Sequence, residues 1–424
     1  MKPVRKELLP GVYLNYVHDV KFKTSLLSAQ FITPLTEEGN SPGALLPAVL
    51  RRGTVRYPDM ESLSAALDLL YGASVSFTVR KKGENQCLGF IASFIDEAFV
   101  PGGERLLEPI ADLVGDLLLD PVTKNGRFLS SYVNGEKANL IDAIRSIRDD
   151  KRDWADMRLI QEMCRGERYG IARLGTEERV QKLNNQSLFR YYRTLLSTAR
   201  LELFYCGSAE AGRVEGALLR AFAALPRENP VEPVVCERRA APAEPRYLRE
   251  RMDITQGKLA MGFRAASPDS PALILANLIF GGYSNSKLFL NVREKLSLCY
   301  YASSGYHRSK GLITVSSGIE FDQYQTAMDE ILAQLRAVQD GAIEPWELAG
   351  ARSLVVSSLR TRGDSPGRME ENAIAQAATG IWEDEEEMIS ALNEVTVERL
   401  AEAARSVTLD TVYFLEGEEA ASDE

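Results

Sequence analysis

The feature that most constrains this fold is a pattern of strands and helices that occurs twice along the 424 residues. Near the start, a strand predicted at 26–33 leads into a helix at 41–52, and its Ser41 and Pro42 are typical of a helix start. After the midpoint, the strand predicted at 258–264 again leads into a helix. The two copies therefore open alike.

The two copies also end alike. A helix predicted at 183–197 feeds the apolar strand 201–207, and a helix predicted at 392–406 feeds the strand 411–417. A repeat of about 210 to 230 residues is far longer than the unit of a solenoid. The sequence therefore predicts a duplicated domain of the α+β (layered α/β) class, in which sheets pack against helices.

A proline-rich segment separates the copies, because five of the twenty residues at 226–245 are proline. Such a composition is typical of a semi-rigid linker. We therefore predict an N-terminal domain at 1–225, this linker, and a C-terminal domain at 246–424. The acidic residues at 383–387 and 416–424 are interpreted as solvated charge.

Composition excludes several classes of partner. The formal charge of −10 would repel phosphate backbones, so nucleic acid is not expected. The most apolar segment, 271–280, is too short to span a bilayer, and no apolar stretch follows the basic start of the chain. The five cysteines are scattered singly, which predicts reduced thiols. These observations predict a cytoplasmic protein with no membrane partner.

Domains that open with a strand, two helices and a hairpin resemble the half-barrels of the insulinase/pitrilysin metallopeptidases, which are inverzincins. The stretches 136–144, 149–151 and 163–167 are similar to peptidase-like members of the short, two-domain bacterial type. The resemblance covers nearly the whole chain. It implies two duplicated half-barrel domains, each a mostly antiparallel sheet packed with helices, as in the insulinase and mitochondrial processing peptidase fold.

Active relatives carry the zinc motif HxxEH on the first helix, a few residues before a Gly-Thr pair. The corresponding residues here are Ala44, Pro47 and Ala48. The two alanines are one helical turn apart, as the zinc-binding histidines would be. Neither a methyl group nor a proline ring can bind zinc or polarise water. The resemblance thus implies a family member whose zinc motif is lost.

The complete sequence leads to the same conclusion, because its two histidines, His18 and His307, lie in different halves. We therefore expect no zinc and no other cofactor. Glu136 matches the remote zinc-ligand glutamate of the family and lies between the apolar Tyr132 and Leu140. The favoured interpretation of Glu136 is an ion pair or a cap, and the alternative is a former ligand that lines a peptide cleft.

A second element of the family is retained. Arg293 and Tyr300 match an arginine and a tyrosine that contact the peptide within a pattern like VREKxxLxY. A guanidinium can hold a peptide carbonyl or carboxylate, and a phenol can donate to a carbonyl. The alternative is that Arg293 pairs with Glu294 or another neighbour and that Tyr300 is half-buried in the core.

The strand at 75–79, which contains Ser76, Phe77 and Thr78, matches the edge strand of the family. Extended peptides add to such a strand through main-chain hydrogen bonds, so binding tolerates many peptide sequences. The alternative is an edge that is simply protected against pairing.

These observations predict a protein that is not an enzyme. It would bind a peptide or unfolded polypeptide through Arg293, Tyr300 and the strand at 76–79. It could also be the partner subunit of an active zinc peptidase, as a homodimer or as a heterodimer with a sister chain that retains HxxEH. The alternatives are an atypical zinc endopeptidase, whose ligands would be distant carboxylates or thiols, and a structural scaffold that binds no peptide.

Overall fold

Two compact units make up the protein, for which the computed structural model describes residues 3–418. The first unit contains the chain through Arg145, then Ile171–Val235 and Arg362–Trp382. The second contains Ser146–Gly170, Cys236–Thr361 and the chain from Glu383 onward. The domains expected at 1–225 and 246–424 are each continuous in sequence. In the structure, each unit instead contains one segment from the other half of the chain, so the two halves exchange segments. The change of unit after Val235 falls within the expected linker at 226–245.

The strands, in chain order, are β1 Val4–Leu9, β2 Val12–His18, β3 Thr24–Pro34, β4 Ser74–Lys82, β5 Asn85–Ile95, β6 Thr123–Lys124, β7 Arg127–Phe128, β8 Arg200–Gly207, β9 Arg246–Met252, β10 Gly257–Ala265, β11 Cys299–His307, β12 Leu312–Ile319 and β13 Val407–Gly417. The helices are α1 Asn40–Leu50, α2 Met60–Leu69, α3 Leu107–Leu119, α4 Ser130–Asp149, α5 Lys151–Met163, α6 Glu177–Lys182, α7 Asn185–Thr198, α8 Ala211–Ala221, α9 Ser270–Asn277, α10 Tyr324–Gln339, α11 Pro345–Arg360, α12 Pro366–Thr379, α13 Glu385–Asn393 and α14 Val397–Arg405. Two segments, Leu278–Gly282 and Leu288–Lys295, are π-helical.

The two main sheets share one topology. The first unit has the strand order β1-β2-β8-β3-β5-β4, and the second has β9-β13-β10-β12-β11. In the first sheet β2 runs parallel to β8, and the other neighbouring strands are antiparallel. In the second sheet β9 and β13 are likewise the parallel pair. The strands β2, β8, β3, β5 and β4 thus correspond to β9, β13, β10, β12 and β11, which confirms the predicted α+β fold with two mostly antiparallel sheets.

Each central strand is buried on both faces, so each sheet needs helices on both sides. Seven of the eleven residues of β3 are buried, and its neighbours β5 and β8 are also largely buried. In the first unit α1, α3 and α7 contribute to the core on one face, and α12 packs on β3, β5 and β8. In the second unit α5 packs on β10, β12 and β13. The exchanged helices α12 and α5 therefore cover the second face of the first and the second sheet, respectively.

A buried ion pair fixes α12 against its sheet. Glu370, only 1% exposed, accepts two hydrogen bonds of 2.7 Å from Arg80 of β4 and one of 2.7 Å from Ser28 of β3. A bidentate arginine–carboxylate pair is directional as well as strong. It therefore sets the rotation of α12 about its axis.

Two predictions about the C-terminal half were wrong. The helix predicted at 392–406 is broken, because the side chain of Thr396 caps a new helix, α14, by accepting from the amide of Arg399. The acidic residues predicted to be solvated include Glu416, which is buried and pairs with Arg251 at 3.0 Å. Residues 419–424 of that acidic segment lie outside the described residues.

The five cysteines are free thiols, and Cys236 alone among them is not buried. Burial raises the pKa of Cys87 and of Cys206 to about 12, so both remain protonated at neutral pH. Of the helices in residues 3–418, none is both long enough and apolar enough to cross a membrane.

A half-buried carboxyl lies on α5 where the helix packs on its sheet. Burial, helped by Asp153 and Asp150, raises the pKa of Asp156 to about 6, although a hydrogen bond with Ser316 and the charge of Arg152 act in the opposite direction. The folded-state pKa is above the unfolded value, so the neutral form is favoured in the folded protein. The neutral carboxyl of Asp156 therefore stabilises the folded protein fully below about pH 4, and this stabilisation is lost as the pH rises through about 6.

We predict that Asp156→Asn, which stays neutral, becomes more stable relative to the wild type as the pH rises from about 4 to about 7. The difference in free energy of unfolding should grow by about 2 kcal/mol across this range. Urea titration of both proteins at the two pH values measures it. A difference that stays constant with pH would show that Asp156 titrates normally.

Candidate functional site

The residues at the zinc-motif positions of α1 present only carbon atoms in their side chains. Ala44 and Pro47 are buried, and Ala48 is half-buried. Pro47 lies inside the helix, where its ring nitrogen cannot donate to a carbonyl one turn earlier. The helix continues beyond it, since the amide of Arg51 donates to the carbonyl of Pro47 at 3.1 Å. This face of α1 is therefore packed as core.

Glu136 projects from α4 and is 9% exposed. One of its carboxylate oxygens forms an ion pair with Nε of Arg52, the second residue after α1. The other oxygen accepts a hydrogen bond of 3.0 Å from the side-chain amide of Asn139. Both oxygens therefore have protein partners, and the charge of the carboxylate is balanced by Arg52.

Arg293 and Tyr300 lie on either side of one helix–strand turn in the second unit. Arg293 belongs to the π-helical segment, and Ser297 in the turn has a left-handed φ of 52°. The pairing of β11 with β12 shifts between Cys299 and Tyr301, so Tyr300 occupies a β-bulge. Bulges redirect a side chain out of the regular alternation. The bulge explains why Tyr300 is exposed although its strand is paired.

Each of these two side chains has a carboxylate neighbour. Nε of Arg293 lies 3.6 Å from Glu294, and its guanidinium stacks over the ring of Phe289. The hydroxyl of Tyr300 donates to Glu320 at 2.6 Å, and this bond raises the pKa of the tyrosine. Both pairs are solvent-accessible, so they are weakly held and can exchange for another partner.

The strand that contains Ser76, Phe77 and Thr78 is an edge of its sheet, because β4 pairs with β5 alone in the part of the chain that the structure describes. Ser76 and Phe77 are exposed. Thr78 is bound within the sheet, where its hydroxyl donates to Gln30 of β3 at 2.9 Å. Gly89 of β5 stands between these two residues in the register and has no side chain to block the contact.

Two arginines bind the outer edge of β4. Arg51 donates to the carbonyl of Val75 and Arg173 donates to the carbonyl of Val79, both at 3.1 Å. Residues at a spacing of two point their main-chain groups toward the same edge. The N–H and C=O of Phe77, midway between these carbonyls, therefore face away from β5 as well.

Sequence reasoning missed the roles of three arginines near these positions. Arg51 and Arg52 lie three and four residues after Ala48, the end of the degenerate motif, and an arginine pair at that place was a visible signal. Arg52 holds Glu136, whereas Arg51 points to the edge of β4. Arg173 carried no signal, because its contact depends on where the chain passes after α5.

Comparison with known proteins identifies the family. A family model described as the peptidase M16 inactive domain matches residues 182–355. Over 416 residues, which are 97% of each chain, the sequence is 33% identical to "Probable inactive metalloprotease YmfF" of Bacillus subtilis (strain 168). The chain belongs to the M16 peptidase family.

Solved structures agree with this assignment. The M16 chain matches a conserved protein from Enterococcus faecalis V583 with a TM-score of 0.91 and 26% identity over 99% of both chains. It matches a peptidase M16 inactive domain from Pseudomonas fluorescens with a TM-score of 0.79 and 16% identity over 98% of both chains. The predicted resemblance to the insulinase/pitrilysin metallopeptidases is thereby confirmed.

The zinc that the family implies does not fit this chain at the motif. Ala44, Pro47 and Ala48 provide no nitrogen, oxygen or sulfur, and Glu136 is bound to Arg52. A group of three or more histidine, cysteine, aspartate or glutamate side chains that could hold a metal ion does not occur within residues 3–418. Because the zinc motif is lost and the matching family model and relative are described as inactive, the chain is an inactive-type M16 peptidase homologue.

We predict that Glu136 is coupled energetically to Arg52. The variants Arg52→Ala and Glu136→Ala should each lower the free energy of unfolding by about 1 to 2 kcal/mol, because each leaves a charge without its partner. The double variant should lose less than the sum, with a coupling of about 1 kcal/mol. Urea unfolding of the four proteins measures the cycle, and additive losses would mean that the ion pair does not hold Glu136.

Proposed function

We propose that this M16 homologue is a non-catalytic subunit that binds an extended peptide along the outer edge of β4. The observation that carries the proposal is the edge itself. Val75, Phe77 and Val79 direct main-chain groups away from the sheet, and two of their carbonyls already accept hydrogen bonds from side chains. An added peptide strand would be bound through such groups.

Hydrogen bonds to the backbone give affinity without reading the peptide sequence. Each one contributes about 0.5 to 1.5 kcal/mol net, so a short strand gains enough to bind while side-chain pockets set the preference. Phe77, which is 43% exposed, is the apolar side chain beside which a peptide residue would lie. The proposed partner is therefore an unfolded or flexible polypeptide.

Arg51 and Arg173 limit where such a peptide begins to pair. A strand that bonds to Val75 or Val79 must replace a guanidinium donor at that carbonyl. At Phe77 no replacement is needed, so pairing is expected to start there. The same two arginines protect the edge against unspecific pairing in the free protein.

Arg293 and Tyr300 are the proposed contacts of the second unit. Their carboxylate partners, Glu294 and Glu320, are solvent-accessible, so a peptide carboxylate or carbonyl can take their place. Hydrolysis would need another chain, since α1 provides no zinc ligand. The proposal therefore includes a homodimer or a heterodimer with a sister chain that bears HxxEH, within the cytoplasm.

We predict that Phe77→Pro lowers the affinity for β-casein, an unfolded polypeptide, by about tenfold or more. Proline removes the outward N–H and is tolerated on a strand edge, so the pairing of β4 with β5 remains. Biolayer interferometry with immobilised β-casein measures the change. The matched control is Phe77→Ala, which keeps the N–H and should lose about threefold or less.

The two variants separate the competing explanations. Equal losses in Phe77→Pro and Phe77→Ala would mean that the side chain, not the backbone, binds the peptide. A wild-type protein that does not bind β-casein at all would favour the structural scaffold. Circular dichroism of both variants verifies that the fold is retained.

A further prediction concerns the metal. After purification without chelators, elemental analysis should find far less than one zinc ion per chain, since α1 has no zinc ligands. The protein alone should leave β-casein intact, with or without a chelator. Stoichiometric zinc together with hydrolysis that a chelator abolishes would establish the atypical zinc endopeptidase instead.

A further inference from the structure

A groove on the first unit is lined by arginines that have no acidic partner among residues 3–418. It encloses about 680 Å³ between α7, the β6–β7 hairpin and the start of the segment after α8. Its basic residues are Arg127, Arg190 and Arg193. Within residues 3–418, no carboxylate lies within ion-pairing distance of these three guanidinium groups.

Two exposed arginines elsewhere on the same unit are paired. Arg179 contacts Glu37 at 2.5 Å, and Arg220 contacts Asp112 at 2.9 Å. Among the described residues that line the groove, Glu228 alone is acidic. Three positive charges and one negative charge therefore face this groove, although the chain as a whole has a net charge of −10.

The groove is built on rigid elements. Asn125 and Gly126 both have left-handed φ angles, of 55° and 67°, which is the conformation of a tight hairpin turn. The turn leads to Arg127, and the next residue, Phe128, is buried with its ring 5.3 Å from that of Phe189 on α7. The arginine on the hairpin is therefore held in place relative to those on the helix.

Three polar lining residues suit a peptide. Gln186, Thr194 and Ser197 add uncharged hydrogen-bonding groups along α7. From Gln186 to Ser197 the helix rises by about 16 Å, which equals about five residues of extended chain. A groove of this length is more suited to several spaced carboxylates than to one compact anion.

We propose that this groove binds an acidic peptide segment of a partner protein, with Arg127, Arg190 and Arg193 as its carboxylate-binding groups. Arginine forms two parallel hydrogen bonds with a carboxylate, and three arginines on two elements match a run of aspartate or glutamate residues. This site is independent of the proposed peptide edge at β4, because none of its lining residues belongs to that strand.

Isothermal titration calorimetry with hexaglutamate tests the proposal. Wild type should bind, and the double variant Arg190→Gln/Arg193→Gln should bind about tenfold more weakly. The matched control is Arg105→Gln, which removes an exposed arginine of the same unit outside the groove and should bind as the wild type does. Raising the salt from about 50 mM to about 300 mM should weaken wild-type binding.

Three results would overturn the proposal. Hexaglutamate that does not bind the wild type would exclude an acidic peptide ligand, and so would binding of inorganic triphosphate without binding of hexaglutamate. Equal loss of affinity in Arg105→Gln and in the double variant would show an unspecific attraction to positive charge. Because the exchanged side chains are on the surface, an unchanged melting temperature verifies that the double variant is folded.

Discussion

The fold depends on the need to cover both faces of two sheets whose central strands are buried. Strands such as β3 and β10 are buried along most of their length, and a sheet of this kind is stable only between two layers of helices. The chain meets this need by exchanging segments, with α5 on the second sheet and α12 on the first. In α12, buried Glu370 with its bidentate Arg80 adds a directional contact to the apolar packing.

The same framework explains how a peptidase fold can persist without its metal. Ala44 and Pro47 are part of the core in which α1 packs, and Arg52 balances the charge of Glu136. The edge of β4 is built from backbone groups, so the loss of zinc ligands on α1 leaves it intact. Catalytic chemistry and strand pairing thus depend on different parts of the first unit.

Much of the fold was predictable from the sequence, because apolar periodicity and helix caps are local signals. The strand at 75–79 and the duplicated openings fall within a few residues of the observed elements. The exchange of α5 and α12 was not predictable, since an apolar helix face does not reveal which sheet it covers. Nor could periodicity show that Thr396 divides one predicted helix in two.

In the candidate site, only the roles of residues that belong to a recognisable sequence motif were predictable. The loss of ligands at Ala44 and Ala48 follows from residue chemistry, whereas the contacts of Arg51 and Arg173 depend on tertiary structure. The bulge at Tyr300 likewise depends on the register of β11 with β12. Side-chain partners of this kind arise from packing between distant segments, and a single sequence does not encode them visibly.

The central claim is that the outer edge of β4 is the part of this M16 homologue that binds peptide. Hydrogen–deuterium exchange at single-residue resolution, with and without β-casein, tests it most directly. The account predicts that the amide of Phe77 exchanges rapidly in the free protein and slowly in the complex, while the amides of β5 are unchanged. Bound β-casein that leaves the exchange of Phe77 unaltered would contradict it.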